Sequence, residues 1–385
     1  MPQSHATTAP SHNNPILVTS AAGRTGIPTT LQLLEKGYQV RAIVRVDDVR
    51  AEALRRAGAE VVVFFFGDHR DLRAAFRDVR RAYFCAPMAH NGLHYANVFA
   101  LAARDAGVEH VVQLGQWLSQ EDHPSLYTRE THLIDRIIPA VTGATHTIIN
   151  VGWFAANYFF VLKPAAQLGI FPMPLGDGLN APPSNEDIAR VIVGALEQPS
   201  LHASKSYRPT GPELLSPEQI VDHLAAATGR SIKYRPMSER MILKSVRADG
   251  WPTGPQTQFV QYLEEYRRGT FAIGAPTDSV REVAGVEPED FATIARRYAR
   301  EDPAGRPSMS GALRAAAGFG RALLTKPIAP LAEERRRDHA LIRDARLSQD
   351  SPSWREAHGA GQFRPSEARR TREAESHRLA RPQSA

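Results

Sequence analysis

Short, wholly apolar runs alternate along the first 150 residues with longer segments whose apolar positions recur every three or four residues. The runs at 16–19, 40–44, 60–66, 82–85, 110–114 and 145–150 read as strands. Between them, 27–36, 49–57, 70–76, 93–106 and 131–141 read as helices, and Gly37, Gly58 and Gly107 stand where helices must stop. The strand runs do not alternate apolar with polar, and residues 61–66 are six large apolar side chains in succession. A strand that is apolar on both faces belongs inside a parallel sheet covered by helices. Six such repeats predict an α/β fold with a doubly wound parallel sheet. A barrel of eight repeats does not fit, because the pattern changes after residue 151.

Past residue 151 the chain has proline-rich loops at 171–174 and 181–183, then helical patterns at 185–196, 217–228, 258–268 and 288–300. Ser216 is placed as the N-cap of the second of these, and Gly229 as its stop. This predicts four parts: a disordered leader at 1–14, a dinucleotide-binding domain at 15–150, a smaller mixed subdomain at 151–300, and a tail at 301–385. The tail is rich in Arg, Ala, Ser and Pro and reads as mostly disordered, with one helix at 311–324.

Composition adjusts this picture little. A hydrophobic fraction of 42% supplies a core. The net charge of +6 suggests an acidic partner until its distribution is considered. Residues 301–385 hold 16 Lys and Arg against 11 Asp and Glu, so the excess lies in the tail. There the arginines are interrupted by acids, as in Arg335-Arg336-Arg337-Asp338, which argues for a solvated segment; no nucleic-acid partner is expected. The single cysteine, Cys85, rules out an internal disulfide and suits a reducing compartment. The first 14 residues are polar, without a signal-like apolar core, and the most apolar stretch, 148–162, is too short to span a membrane and carries Asn150 and Asn157. A cytoplasmic protein is expected, and no metal site.

Candidate chemistry begins after the first strand, at Thr19-Ser20-Ala21-Ala22-Gly23-Arg24-Thr25-Gly26. A Rossmann turn needs small residues here, so that the chain bends sharply and its N–H groups approach a pyrophosphate at a helix N-terminus. Gly23 and Gly26 keep half of the glycine pattern, and Ser20 stands where the first glycine usually is. Ser20, Gly23, Arg24, Thr25 and Gly26 are therefore cofactor-binding candidates. At the end of the second strand an Asp or Glu would accept from a ribose 2′-hydroxyl. The residue here is Arg45, whose guanidinium can instead pair with a 2′-phosphate, and Arg24 offers a second contact. NADP(H) is favoured; Asp47 and Asp48 leave NAD(H) open.

With these residues in view the chain resembles the NmrA-like family of atypical short-chain dehydrogenases/reductases. The resemblance rests on residues 18–26, Ala42-Ile43-Val44-Arg45, Gly67-Asp68, Cys85-Ala86-Pro87 and 147–157, with Asp187-Ile188-Ala189 and 207–216 further on. It implies that Asp68 accepts from the adenine amino group, although Asp68 also suits a helix N-cap. It implies that Ala86 and Pro87 lie along the cofactor, and that Val151 and Gly152 approach the nicotinamide. Trp153, Phe154 and Asn157 would then wall a substrate pocket, which Tyr158 would help to close.

Short-chain dehydrogenases polarise a carbonyl with Ser and protonate it with a Tyr whose pKa a nearby Lys depresses. Here no serine follows the fifth strand until Ser119. Tyr127 has Thr131, not Lys, four residues on. His132 matches the family's His/Lys position and Asp135 its acidic partner, and on a helix the two share a face. Tyr127 and His132 are the catalytic candidates of an incomplete relay. Two readings follow: an NADPH-dependent reductase of quinone-like or other small electron-poor acceptors, or a non-catalytic NADP(H) sensor that acts on a protein partner.

Overall fold

The computed structural model describes residues 14–64, 67–87, 91–329, 332, 342 and 344–358. Seven parallel strands form the central sheet, in the order β3-β2-β1-β4-β5-β6-β8. They are β1 (Ile16–Val18), β2 (Val40–Val44), β3 (Glu60–Val63), β4 (Arg81–Phe84), β5 (His110–Gln116), β6 (Thr145–Val151) and β8 (Lys205–Tyr207). Sheet growth reverses between β1 and β4, where Ile16 pairs with Val40 on one side and Arg81 on the other. In open α/β sheets such a switch point opens a crevice at the carboxyl ends of the strands.

One face carries α1 (Gly26–Glu35), α2 (Val49–Arg56), α7 (Asn185–Glu197) and α12 (Ser279–Ala284) over a core of Val18, Val40, Tyr83, Val112 and Ile192. The other carries α3 (His69–Ala75), α4 (Gly92–Asp105) and α5 (Leu126–Thr142) around Phe76, Phe84, Phe99 and Ile138. A third core lies beyond the carboxyl edge. It is built from α6 (Leu162–Leu168), α9 (Pro217–Thr228), α10 (Glu239–Ala248), α11 (Thr253–Arg267) and α13 (Phe291–Glu301), with the small pair β7 (Ile170–Phe171) and β9 (Lys233–Tyr234). Ser216 and Gln219 close a full capping box on α9, and Gly229 ends that helix in the left-handed conformation, as its sequence implies.

Three expectations need correction. The sheet has seven strands, not six, and does not stop at residue 150. Lys-Ser-Tyr, too short and polar to signal a strand, pairs with β6 from Thr147↔Lys205, delivered there by α7 and by α8 (Pro199–His202). Next, β3 is an edge strand and is not buried on both faces; Val63 is 42% exposed, and the predicted residues 65 and 66 lie outside the described ones.

Finally, much of the expected disordered tail is packed. The foreseen helix is α14 (Met309–Leu324), seated on α6 and α10. Residues 344–358 return to the third core through the turn Ser348–Asp350 and α15 (Pro352–Ala357), with Trp354 1% exposed. Average composition hid these anchors, because a single tryptophan changes the mean little yet buries a large apolar area. Residues 1–13 of the leader and residues 359–385 fall outside the described residues. Among those described, no helix is long and apolar enough to cross a membrane.

Candidate active site

The glycine turn is stitched to the two strands on either side of β1, β2 and β4. Thr19 N–H donates to Tyr83 O (3.0 Å) and Ala21 N–H to Ile43 O (3.0 Å). Ser20 takes φ +50°, the left-handed backbone in which glycine is favoured, and its hydroxyl ties that conformation down by donating to Cys85 O (3.0 Å). The chain then crosses itself closely. A Cβ on Gly26 would sit 2.2 Å from Ser20 O, and one on Gly23 2.9 Å from the same atom. Among the described residues no side chain caps α1, which leaves the N–H groups of its first turn, directly after the glycine turn, open to an anion. Thr25, expected at the cofactor, turns its hydroxyl inward to Tyr83 OH (2.8 Å); only its backbone faces the turn. Ala86 and Pro87 follow β4 across the same crevice, half-buried. The Cys85 thiol beside them is pushed up to about 11 by burial, so it is not a nucleophile at neutral pH.

At the end of β2 the two acids are engaged. Asp47 pairs with Arg55 (2.8 Å), and Asp48 caps α2 and pairs with Arg50 (2.6 Å), which hold both carboxyls below their usual range. Arg45 is exposed and bonded to none of the described residues. Arg50, not singled out in the sequence, is the nearer second cation, since its Nη1 donates to Ala22 O (3.2 Å) inside the glycine turn. Arg24, expected to be that second contact, reaches the other way. It donates to Asn157 Oδ1 (3.1 Å) and lies 4.5 Å over the Phe160 ring, linking the turn to the segment after β6. Asp68 caps α3 through Arg70 N–H (2.8 Å) and pairs with the Arg70 side chain, and donors from Arg70 hold its carboxyl at about 2.

The carboxyl ends of β5 and β6 form the other end of the crevice. Gln116 Oε1 accepts from Tyr262 OH (2.5 Å) and Thr128 Oγ1 (3.1 Å). Trp117 extends the pairing by donating to Val151 O (2.9 Å). Gly152 packs against Phe271 and Arg208, 3.2 Å and 3.9 Å from where its Cβ would be. The Arg208 guanidinium lies 3.6 Å from the Trp117 ring centroid and donates to Phe271 O (2.6 Å) and Ile273 O. It is buried and pairs with no carboxylate among the described residues, and its Nε has no partner. Burial pulls it down to about 9, which leaves it a cation at neutral pH.

Residues 344–358 complete this end. Trp354 Nε1 donates to Trp117 O (2.9 Å), and the Trp354 and His358 rings stack on each other and meet Trp117 edge-on. Ser348 N–H reaches Glu265 Oε1 (2.6 Å), a fully buried carboxylate that also accepts from His123 Nε2 (3.2 Å) and Thr270 Oγ1 (2.6 Å). Burial raises that carboxyl and the donors outweigh it, holding it below its usual range.

The sequence pattern of the NmrA-like family matches residues 12–280, over this crevice and both sheet faces. The chain belongs to the NmrA-like family. It is 26% identical over 303 residues to the NAD(P)H azoreductase of Xenophilus azovorans, covering 74% of this chain and 98% of that protein. The NADPH complex of the quinone oxidoreductase QOR2 from Escherichia coli has the same fold, with a TM-score of 0.63 and 21% identity, over 74% of this chain and 99% of that one. So does NmrA, a negative transcriptional regulator, with a TM-score of 0.60 and 17% identity, over 74% and 94%.

Against this family the expected relay does not assemble. His132 and Asp135 do not pair. Asp135 accepts from Gln113 (2.5 Å) and Ser119 (2.7 Å) inside the protein, while His132 meets Arg136 (3.0 Å) one turn on. Burial and the Arg136 charge lower the His132 pKa, which favours a neutral ring. Tyr127 is buried, with its hydroxyl against the Gly254 backbone at the start of α11; a Cβ there would lie 1.9 Å from it. Gly115, at the end of β5, stands against Asn150 and Ile148, which would have to shift to admit a serine, because a Cβ would be 2.6 Å from Asn150 Oδ1 and 2.8 Å from Ile148 Cγ2. Trp153 and Tyr158, expected to wall the pocket, are core residues. Trp153 stacks on Phe259, and Tyr158 bonds Tyr266 OH (2.8 Å). The residues packed together at the carboxyl ends of β5 and β6 are Gln116, Trp117, Arg208, Phe271 and Trp354, the last three themselves buried. Of these only Gln116 and Trp117 carried a signal, as the first polar and aromatic positions after a strand.

Proposed function

We propose that this protein is an NADPH-dependent reductase of quinone-like or other small, flat, electron-poor acceptors. The observation that carries the reading is Arg208, a buried cation that pairs with no carboxylate among the described residues, at the strand ends where the nicotinamide half of a dinucleotide would lie. Bound NADPH would supply the hydride. An acceptor reduced by hydride becomes an anion, and a fixed, desolvated guanidinium stabilises that developing charge more than it stabilises the neutral substrate. Such an acceptor needs little proton donation, so the incomplete relay around Tyr127 and His132 is no obstacle. The Trp117 and Phe271 rings suit a flat molecule.

The glycine turn and the uncapped α1 would hold the pyrophosphate, with Ala86 and Pro87 along its length and Gly152 at the nicotinamide. Asp68, if it also receives the adenine amino group, keeps its role as cap. The cofactor preference rests on Arg45: Asp47 and Asp48 are occupied by Arg55 and Arg50, whose charges they offset in turn, and Arg45 is the exposed cation left at the end of β2 to meet a 2′-phosphate.

The test is NADPH oxidation by the purified chain against a panel of benzo- and naphthoquinones. Turnover is expected, and Arg208→Met should lower kcat about 10- to 100-fold while NADPH affinity holds. Arg208→Lys should restore part of the loss. Tight NADPH binding without turnover of any acceptor favours the second reading, a sensor of NADP(H) acting on a protein partner, which the incomplete relay and the likeness to NmrA support.

A further inference from the structure

One helix is packed inside out. Helix α14 buries Gly311, Ala315 and Ala322 against α6 and α10 and turns its large side chains to solvent. Met309, Leu313, Leu323 and Leu324 are 84, 68, 53 and 90% exposed, and Phe319 is 41% exposed. With about 3.6 residues per turn, Ala315 and Ala322 fall on the side of Gly311, and Met309, Leu313 and Leu324 fall opposite, facing straight away from the protein. The small inner face is a packing requirement, since a Cβ on Gly311 would sit 2.3 Å from Gln167 Oε1. The large outer face has no such account. A helix face that exposes this many large apolar side chains marks a contact with something else.

Charge says what. Residues 303–332 contain four cations, Arg306, Arg314, Arg321 and Lys326, and no Asp or Glu. Neighbouring α10 adds Arg240, Lys244 and Arg247; Lys244 and Arg247 donate to the carbonyls of Leu323 and Lys326 and secure the end of α14. Among the described residues the acids of this neighbourhood on the α10 side are paired, Asp249 with Arg321 (3.1 Å), whose charge it offsets, and Glu239 with Arg267 (3.7 Å), which leaves Arg306, Arg314 and Lys326 as the cations beside the helix. We propose that α14 is an interfacial membrane-binding helix, whose outer apolar face enters the headgroup boundary of a bilayer containing anionic lipid. Large apolar side chains on one face, flanking Arg and Lys, and no acids are the features that place a helix in that boundary. The helix would lie on the bilayer and not cross it. A second copy of the chain is the poorer occupant, because one face of a 16-residue helix is small against the roughly 1,200–2,000 Å² that a stable interface buries. The helix lies beyond the residues matched by the family pattern, which end at 280, so it is an addition to the shared fold. The proposal does not depend on the identity of the acceptor.

The experiment is flotation of the full chain with vesicles of phosphatidylcholine alone and of phosphatidylcholine with an equal part of phosphatidylglycerol. The mixed vesicles should carry about tenfold more protein, with binding falling as salt is raised. Leu313→Ser with Leu324→Ser should reduce binding about tenfold, leaving the melting temperature and NADPH affinity unchanged, since both leucines are exposed and far from the crevice. Failure to float with the anionic vesicles, or flotation indifferent to the two leucines, overturns the proposal. So does a dimer in sedimentation velocity that the same leucine substitutions dissociate, which assigns the face to a second copy.

Discussion

The two ends of the crevice are built by opposite means. The phosphate end is made of backbone: eight consecutive residues, two glycines that let the chain cross itself, and N–H groups tied to β2 and β4. The end proposed to meet the acceptor is made of side chains brought from far apart. Gln116 and Trp117 end β5, Gly152 ends β6, Arg208 follows β8, Phe271 follows α11, and Trp354 arrives 237 residues after the tryptophan it meets. The first end is a local property of the chain and the second a property of the whole fold. Variation should therefore be tolerated differently: strictly at a few backbone positions at one end, and through packing at the other.

The sharpest test of that contrast is Trp354→Ala. It empties a fully buried site against Trp117 and should cost about 3–5 kcal/mol of stability, read by thermal or urea unfolding. NADPH affinity should stay within about threefold in the surviving folded protein, 1.4 kcal/mol being tenfold. A large loss of NADPH affinity would join the two ends into one unit. The converse is Gly26→Ala, whose Cβ would collide with Ser20 O. NADPH binding by calorimetry should weaken about 100-fold, on the order of 3 kcal/mol, with a smaller effect on unfolding.

Arg45→Glu sharpens the cofactor half. The ratio of NADPH to NADH affinity should fall about 10- to 100-fold, since a carboxylate repels a 2′-phosphate and accepts from a 2′-hydroxyl. Equal affinities in the unaltered protein would remove the argument from Arg45. The smallest effect concerns Glu130 on α5, whose carboxyl burial raises from 4.5 to about 7. A carboxyl raised in the folded state contributes stability below its unfolded pKa, and that contribution is lost as pH rises through the folded value. The contribution of this one group should therefore fall between pH 4.5 and about 7, and it is isolated by comparison with a variant that lacks it. Glu130→Gln should be more stable than the unaltered protein by about 1–2 kcal/mol at pH 8, allowing for partial exposure, and similar at pH 4.

Much of the fold could be read from the chain, because apolar runs and helix stops are local signals. Strand β2 and helix α9 run over the expected residues. Strand β8 could not be read, because Lys-Ser-Tyr is a strand only through its pairing with β6. At the site, Ser20, Gly23 and Gly26 were legible from spacing alone. Thr25 and Arg24 were identified as cofactor contacts, yet their side chains turn to Tyr83 and Asn157, partners more than fifty residues away. The expected pairing of His132 with Asp135 failed for the same reason. Helical spacing brought them to one face, and Ser119 and Gln113, from outside the helix, took the carboxylate. Arg208 was invisible: one arginine among many, its meaning set by what is absent around it.

The bond from Ser348 to Glu265 has a consequence for how the protein is made. During synthesis β1 to β6 and the glycine turn emerge first, and α7, β8 and α12, which complete and cover the sheet, are all in place in the chain by residue 284. Until residue 348 emerges, Glu265 lacks one of its donors, and Trp117 lacks the rings of Trp354 and His358. The nucleotide half of the crevice can thus be ready early, whereas the half that meets the acceptor is finished among the last events. A nascent chain held before that point would be able to bind the cofactor without yet having an enclosed place to use it.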